Sequence, residues 1–383
     1  MIFAPVKNRR TMMKRMSTFL LSAILLTTAI AHSTATAQEV NPYWIEYGNE
    51  PVLMQQNNNG VRQTLKFVAY KDNMLVAELD GGVGEISLPV SESMVQSLRL
   101  DNSFMPEINR MINNGNYTGA LTLLRPKAYP LIKFHTVPES LTQLHVPIRT
   151  LIDTLIKENE LNEAHDIVNR IQLNQVSLKY SESAIALMNA YLAQENFDAA
   201  AQITKILPVD GQYSANIRPI VDAADALRAA GKYKDVIPLY QQIESVVPED
   251  VKKNVKMWLA YSLVLDNRVE EATPMIDSLE EPEPNERLFS LYKLLQGSRE
   301  HRNENYGKAL DLLTRGFVRA QTSYVWVPEM LYLIGDCYAR SEDYIAARNV
   351  WTEIVTLYPE SPWTQLADTA LAKLPQPEQT EDE

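Results

Sequence analysis

The stretch SEDYIAARNVW runs from Ser341 to Trp351. Polar residues lead to an aromatic, Tyr344. An alanine follows three positions later, Ala347, and a second aromatic four beyond that, Trp351. The same grammar recurs in NGNYTGALTLL (Asn114–Leu124), ENELNEAHDIV (Glu158–Val168) and QENFDAAAQIT (Gln194–Thr204). It continues in AGKYKDVIPLY (Ala230–Tyr240), DNRVEEATPMI (Asp266–Ile276) and NENYGKALDLL (Asn303–Leu313). The anchors are Tyr117, Leu161, Phe197, Tyr233, Val269, Tyr306 and Tyr344, separated by 44, 36, 36, 36, 37 and 38 residues. Such self-similarity marks a repeat array, each unit of which cannot bury its apolar face alone.

Within a unit the pattern reads as helix–turn–helix. The polar segment before each anchor is a turn signal. The residues after it are apolar at i, i+3 and i+7, one face of a helix. Three positions beyond the anchors stand Ala120, Ala164, Ala200, Val236, Ala272, Ala309 and Ala347. Small side chains there let the preceding helix approach closely, since interaxial distance follows side-chain size. Pro208, Pro248, Pro284 and Pro359 then end units, because proline cannot continue a helix interior.

From Pro328 to Pro359, Leu331, Ile334, Gly335, Tyr338, Ala347, Trp351 and Pro359 stand at the spacing of the tetratricopeptide repeat (TPR) signature. The stretch resembles that family. Leu331 replaces the usual tryptophan and Ile354 a late alanine. Weaker copies keep Tyr191 and Ala200, or Leu227, Tyr240 and Pro248. The resemblance covers roughly residues 103–374, with a period slightly above the family's ~34 residues. It implies a mainly α fold, a TPR-like α-solenoid of about seven helix pairs, binding protein or an extended peptide in its concave groove. SPWTQLADTALAKL (Ser361–Leu374) reads as a helix capping the array. Pro126, Pro130, Pro138 and Pro147 fall between the first two units, where a broken or bent connection is expected.

The flanks differ. Residues 1–37 begin with Lys7, Arg9, Arg10, Lys14 and Arg15 and contain no acid. A 14-residue apolar run, Thr18–Ala31, and Ala35-Thr36-Ala37 follow, the order of a secretory signal peptide. The run is short of the ~20 residues that span a bilayer. Arg9-Arg10 partly resembles a twin-arginine motif; the general secretory route fits better. Residues 38–62 read as a linker, with Tyr43 and Trp44 able to tether it. Residues 63–90 read as a small β meander, strands near Thr64–Tyr70, Met74–Leu79 and Glu85–Leu88, expected to dock on the first helices. The helical array is assigned to residues 91–374, and residues 375–383, without an apolar core, to a disordered tail.

Removing residues 1–37 leaves 31 Lys and Arg against 48 Asp and Glu, a formal charge of −17. That excess repels phosphate backbones and argues against nucleic acid as a partner. Cys337 is the sole cysteine, so no internal disulfide forms, and its place in a repeat helix predicts a buried core residue. Gly81-Gly82-Val83-Gly84 reads as a hairpin turn and not a phosphate loop, because a strand follows it. His135, His145, His165 and His301 have no zinc-ligand spacing. Trp258, Trp326, Trp351 and Trp363 fall on apolar helix faces and read as core. No nucleophile, acid–base pair, cofactor site or metal site is predicted.

In the TPR family the inner face is lined by the first helix of each pair. Carried onto this chain, the groove positions are Asn189, Asp225, Tyr261, Ser298 and Asp336, with Ile185, Val221, Met257 and Tyr332 beside them. Only Asn189 matches the family's carboxylate clamp, so the lining suits an extended apolar or basic peptide better. Tyr338, Trp351, Tyr358-Pro359 and Ser361-Pro362-Trp363 resemble the periplasmic TPR proteins of outer-membrane assembly and the Tol-Pal system. The resulting expectation is a non-catalytic exported scaffold, periplasmic or outer-membrane-associated, that joins proteins in the bacterial cell envelope. The alternative is a substrate-binding module for a peptide or glycan.

Overall fold

Every one of the seven anchors is the first residue of a helix. In the computed structural model, which describes residues 41–58, 61–78, 84–90, 98–139 and 143–375, the pairs are α2 (Met105–Asn113) with α3 (Tyr117–Ile132), and α4 (His145–Lys157) with α5 (Leu161–Arg170). They continue with α6 (Leu178–Ala193) and α7 (Phe197–Ile206), α8 (Ile217–Ala229) and α9 (Tyr233–Glu244), and α10 (Glu249–Leu265) and α11 (Val269–Ser278). The last are α12 (Leu288–Arg302) with α13 (Tyr306–Arg319), α14 (Val327–Arg340) with α15 (Tyr344–Leu357), and the closing helix α16 (Pro362–Lys373). This is a TPR-like array of helix pairs. The expected signal peptide and all but Pro375 of the expected tail lie outside the described residues.

One backbone device builds all seven turns. Two residues before each anchor the chain enters the left-handed region: Gly115, Asn159, Glu195, Gly231, Asn267, Glu304 and Glu342 all have φ between 57° and 75°. The next residue donates its backbone N–H to a carbonyl five residues back, as from Asn116 to Met111, Asn196 to Tyr191 and Asp343 to Tyr338. This is the Schellman closure, which satisfies carbonyls left open at a helix end. Asn116, Asn196 and Asp343 then cap the following helix with their side chains. Ala120, Ala164, Ala200, Val236, Ala272, Ala309 and Ala347 are all fully buried. In the last pair Gly335 lies so close to Trp351 that an added Cβ would stand 2.3 Å from the indole nitrogen.

The first pair departs from expectation. Helix α3 is not broken at Pro126 or Pro130 but runs through both to Ile132. Each proline removes a backbone hydrogen bond. Burial of Ala128, Tyr129, Leu131 and Ile132 opposes that cost.

The N-terminal part is larger than the meander. The stretch read as a linker holds a short helix, α1 (Pro42–Glu46), and a strand, β1 (Val52–Asn58). With β2 (Val61–Lys71), β3 (Met74–Glu78), β4 (Glu85–Pro89) and β5 (Leu98–Leu100) they make an antiparallel sheet of order β4-β3-β2-β1-β5. Val52, Met54, Leu65, Phe67, Leu75 and Ala77 share its buried face and join one core with Met105 and Ile108 of α2 and Tyr129 of α3. Gly81, Gly82 and Val83 lie outside the described residues; β3 and β4, on either side, pair as antiparallel neighbours.

Candidate partner-binding face

The five predicted groove residues fall on α6, α8, α10, α12 and α14, each eight positions before an anchor. The structure divides them. Asn189 is exposed. Asp225 is also exposed, and its carboxylate accepts hydrogen bonds from Arg228 (2.7 Å) and the Tyr240 hydroxyl (3.2 Å). Asp336 is half-buried and takes hydrogen bonds from His301 Nε2 (2.7 Å), which above all holds its carboxyl below the usual range, and lies 3.4 Å from Arg340 Nε.

Tyr261 and Ser298 correct the expectation, because both are buried. The reason is a contact that skips a pair. Tyr261 on α10 donates to Glu329 Oε2 on α14 at 2.9 Å, and Trp258 meets Trp326 edge-on at 5.6 Å. Trp326 Nε1 also donates to Ser290 of α12. Helices α10 and α14 thus close over α12, which is buried along most of its length, Ser298 included. The Ser298 hydroxyl has no hydrogen-bond partner among the described residues. Met257 is buried here too, whereas Ile185 and Val221 are half-exposed toward the other end.

The chemistry of the closure is that of a buried acid. Burial lifts the Glu329 carboxyl to about 7, opposed by the Tyr261 hydrogen bond and by Arg302. Burial and then Glu329 push the Tyr261 hydroxyl well above its ordinary value. Arg228 stacks on the Trp258 ring at 3.9 Å, a cation–π contact that seals the α8 side. Cys337 is buried in the last pair, and burial raises its thiol to about 12, so it is packed and not reactive. Trp326 and Trp351 are core as expected, while Trp258 and Trp363 are half-buried.

The open part of the face is the N-terminal one. A trough of about 340 Å³ lies between α4 and α6, lined by Arg149, Asp153, Ile156, Lys157, Glu182, Ser183 and Ala186. Arg149 bridges its walls to Glu182 at 2.8 Å. Glu182, Ala186 and Asn189 are spaced by four and three residues and so share one face of α6. Asp153 was missed in the sequence reading, yet it stands eight positions before Leu161, as Asn189 does before Phe197. The signal was therefore present and simply not extended one pair back. A second cavity, about 520 Å³, lies where β1 and α1 meet α3, with Glu46, Glu50, Asp101, Lys127, Tyr47 and Phe104 in its lining. No group of three or more potential metal ligands occurs among the described residues.

No family model and no curated protein matches the chain. Among solved structures it is similar to pilF of Pseudomonas aeruginosa, at 12% identity and TM-score 0.36 over 58% of this chain and 95% of that one. It is similar to a chain of the APC/C hetero-tetramer Cut9-Hcn1, at 13% identity and TM-score 0.38 over 71% of this chain and 52% of that one. A third is BtubC (BKLC) from P. vanneervenii, at 13% identity and TM-score 0.27, over 72% and 97%. The TPR-like description of the fold rests on the chain's own helix pairs and turns.

Proposed function

We propose that the chain is a non-catalytic, exported scaffold of the bacterial cell envelope, which binds a protein or extended peptide on the inner face of its first helix pairs. The observation that carries the reading is the trough between α4 and α6. It is lined by an acid, two cations and an apolar side chain (Asp153, Arg149, Lys157, Ile156), and exposed Asn189 shares a helix face with its Glu182 and Ala186, a mixture suited to gripping an extended chain. Export is supported by the basic start, the apolar run and Ala35-Thr36-Ala37. Among the described residues no helix is long and apolar enough to cross a membrane. The partner surface is Asn189, Asp225 and Asp153; Tyr261 is too buried to report on it.

The test is photo-crosslinking in living cells from position 189 and, as a control, from exposed Val318 on α13. A discrete adduct from 189 that Asp153→Arg abolishes supports the reading. Failure to crosslink any protein from 189 in the folded chain overturns it. The second reading, a binding module for a peptide or glycan, is favoured by the 520 Å³ cavity. Stabilisation by wall fragments that Phe104→Ala removes would select it.

A further inference from the structure

Helix α1 is only five residues long, far too short to be stable alone. It is held by a site on α3 and α5. Asn41 Nδ2 donates to the Tyr129 hydroxyl (2.7 Å) and to Asp166 (3.3 Å), and Trp44 Nε1 donates to the same Asp166 oxygen. Arg125 covers the Tyr43 ring at 4.3 Å and Arg170 covers Trp44 at 4.2 Å. Trp44 meets Tyr129 edge-on at 4.7 Å.

The side chains of α3 and α5 also pair with one another. Glu163 is already paired with Arg125 (2.7 Å) and accepts from the fully buried Tyr129 hydroxyl (2.7 Å). Asp166 is already paired with Arg170 (3.3 Å). The segment adds two side-chain donors and two aromatic faces to this prebuilt frame. That division is the one found between a peptide and its receptor: few polar contacts for register, aromatic anchors for area. Pro42 fixes the first turn and lowers the entropy lost on docking.

We propose that α3 and α5 form a recognition site for an Asn-Pro-Tyr-Trp segment, filled here by the chain's own residues 41–44 and open to the same segment of a second copy once the resident one is released. The resident segment is tethered through residues 48–51 and competes at an effective concentration on the order of millimolar. It therefore holds the site shut in the single chain, and exchange between copies is a segment swap.

The experiment uses a fluorescein-labelled peptide of residues 41–49 and the N41A/W44A chain, whose own segment is disabled. Anisotropy should show saturable binding to N41A/W44A, none to the unaltered chain at the same concentrations, and binding about tenfold weaker or worse when D166A is added. Mixing N41A/W44A with D166A/R170A, which keeps its segment but lacks the receptor, should give a one-to-one heterodimer by light scattering that neither forms alone. No saturable binding by N41A/W44A with its helical circular dichroism intact, or binding indifferent to D166A, overturns the site. Peptide binding without the heterodimer overturns the second copy as occupant. If N41A/W44A fails to fold, a chain cleaved at a protease site placed at Asn49–Glu50 replaces it, and failure of excess labelled peptide to displace the cut segment overturns the proposal. These residues lie apart from Asp153 and Asn189, so either reading can fail without the other.

Discussion

The Tyr261 hydroxyl donates to Glu329 Oε2 at 2.9 Å although the two residues are 68 positions apart and belong to pairs with another pair between them. Among the described residues the carboxyl has no ion-pair partner, and burial lifts it to about 7. A carboxyl whose folded value is raised favours the protonated native state. Its stabilisation is complete below the unfolded value near 4.5 and is lost as pH rises through about 7.

Glu329→Gln should therefore flatten the fall in stability between pH 5 and pH 8. At pH 8 the variant should be more stable than the unaltered chain by about 2–3 kcal/mol. Urea unfolding at both pH values measures the difference, and parallel curves for the two proteins would contradict the assignment.

Glu300 titrates in the opposite sense. Hydrogen bonds from Lys308, Asn305 and Arg299 hold its carboxyl down at about 2. Its contribution is present above the unfolded value near 4.5 and is lost as pH falls toward 2. Glu300→Gln should lower the melting temperature at pH 7 and narrow the gap to the unaltered chain at pH 3.

Gly335 and Gly307 make a matched pair. A Cβ at 335 would collide with the Trp351 indole, while one at 307, inside α13, meets nothing within 4 Å. Gly335→Ala should destabilise by about 1–3 kcal/mol through overpacking. Gly307→Ala should stabilise by about 0.5–1 kcal/mol through helix propensity. Guanidinium midpoints at constant slope report both.

Three of the seven turns place glutamate where the backbone is left-handed: Glu195, Glu304 and Glu342. Such residues cost roughly 1–2 kcal/mol there, partly returned because glycine loses more freedom on folding. Replacing each by glycine should raise stability by about 0.5–1 kcal/mol. Gly115→Glu and Gly231→Glu should lower it by a similar amount, and calorimetry of the five variants tests the set.

The repeats were readable because each unit solves a local problem in a local way. An anchor, an alanine and a polar turn are neighbours in sequence, so Tyr117 to Tyr344 mark their helices to the residue. The left-handed glutamates were not readable, since nothing about Glu304 distinguishes it from a solvated helix end. Strand β1 was passed over because Gln55, Gln56, Asn57 and Asn58 look like linker. Yet the strand pairs with β2 in continuous register, from Val52 opposite Phe67 to Asn58 opposite Val61. Of the groove row, Asn189 and Asp225 are exposed and Tyr261 and Ser298 are buried. Periodicity states which face Tyr261 occupies; it does not state that α14 will reach across to cover it.

That reach has a mechanical consequence. A stack in which every unit touches only its neighbours can gain or lose a unit, and its stability is close to additive. Here α10 and α14 are bolted together over α12. Excising the unit 288–326 would remove Trp326, the partner of Trp258, and shift Glu329 by one rung relative to Tyr261. The C-terminal half is thereby committed to a fixed number of units.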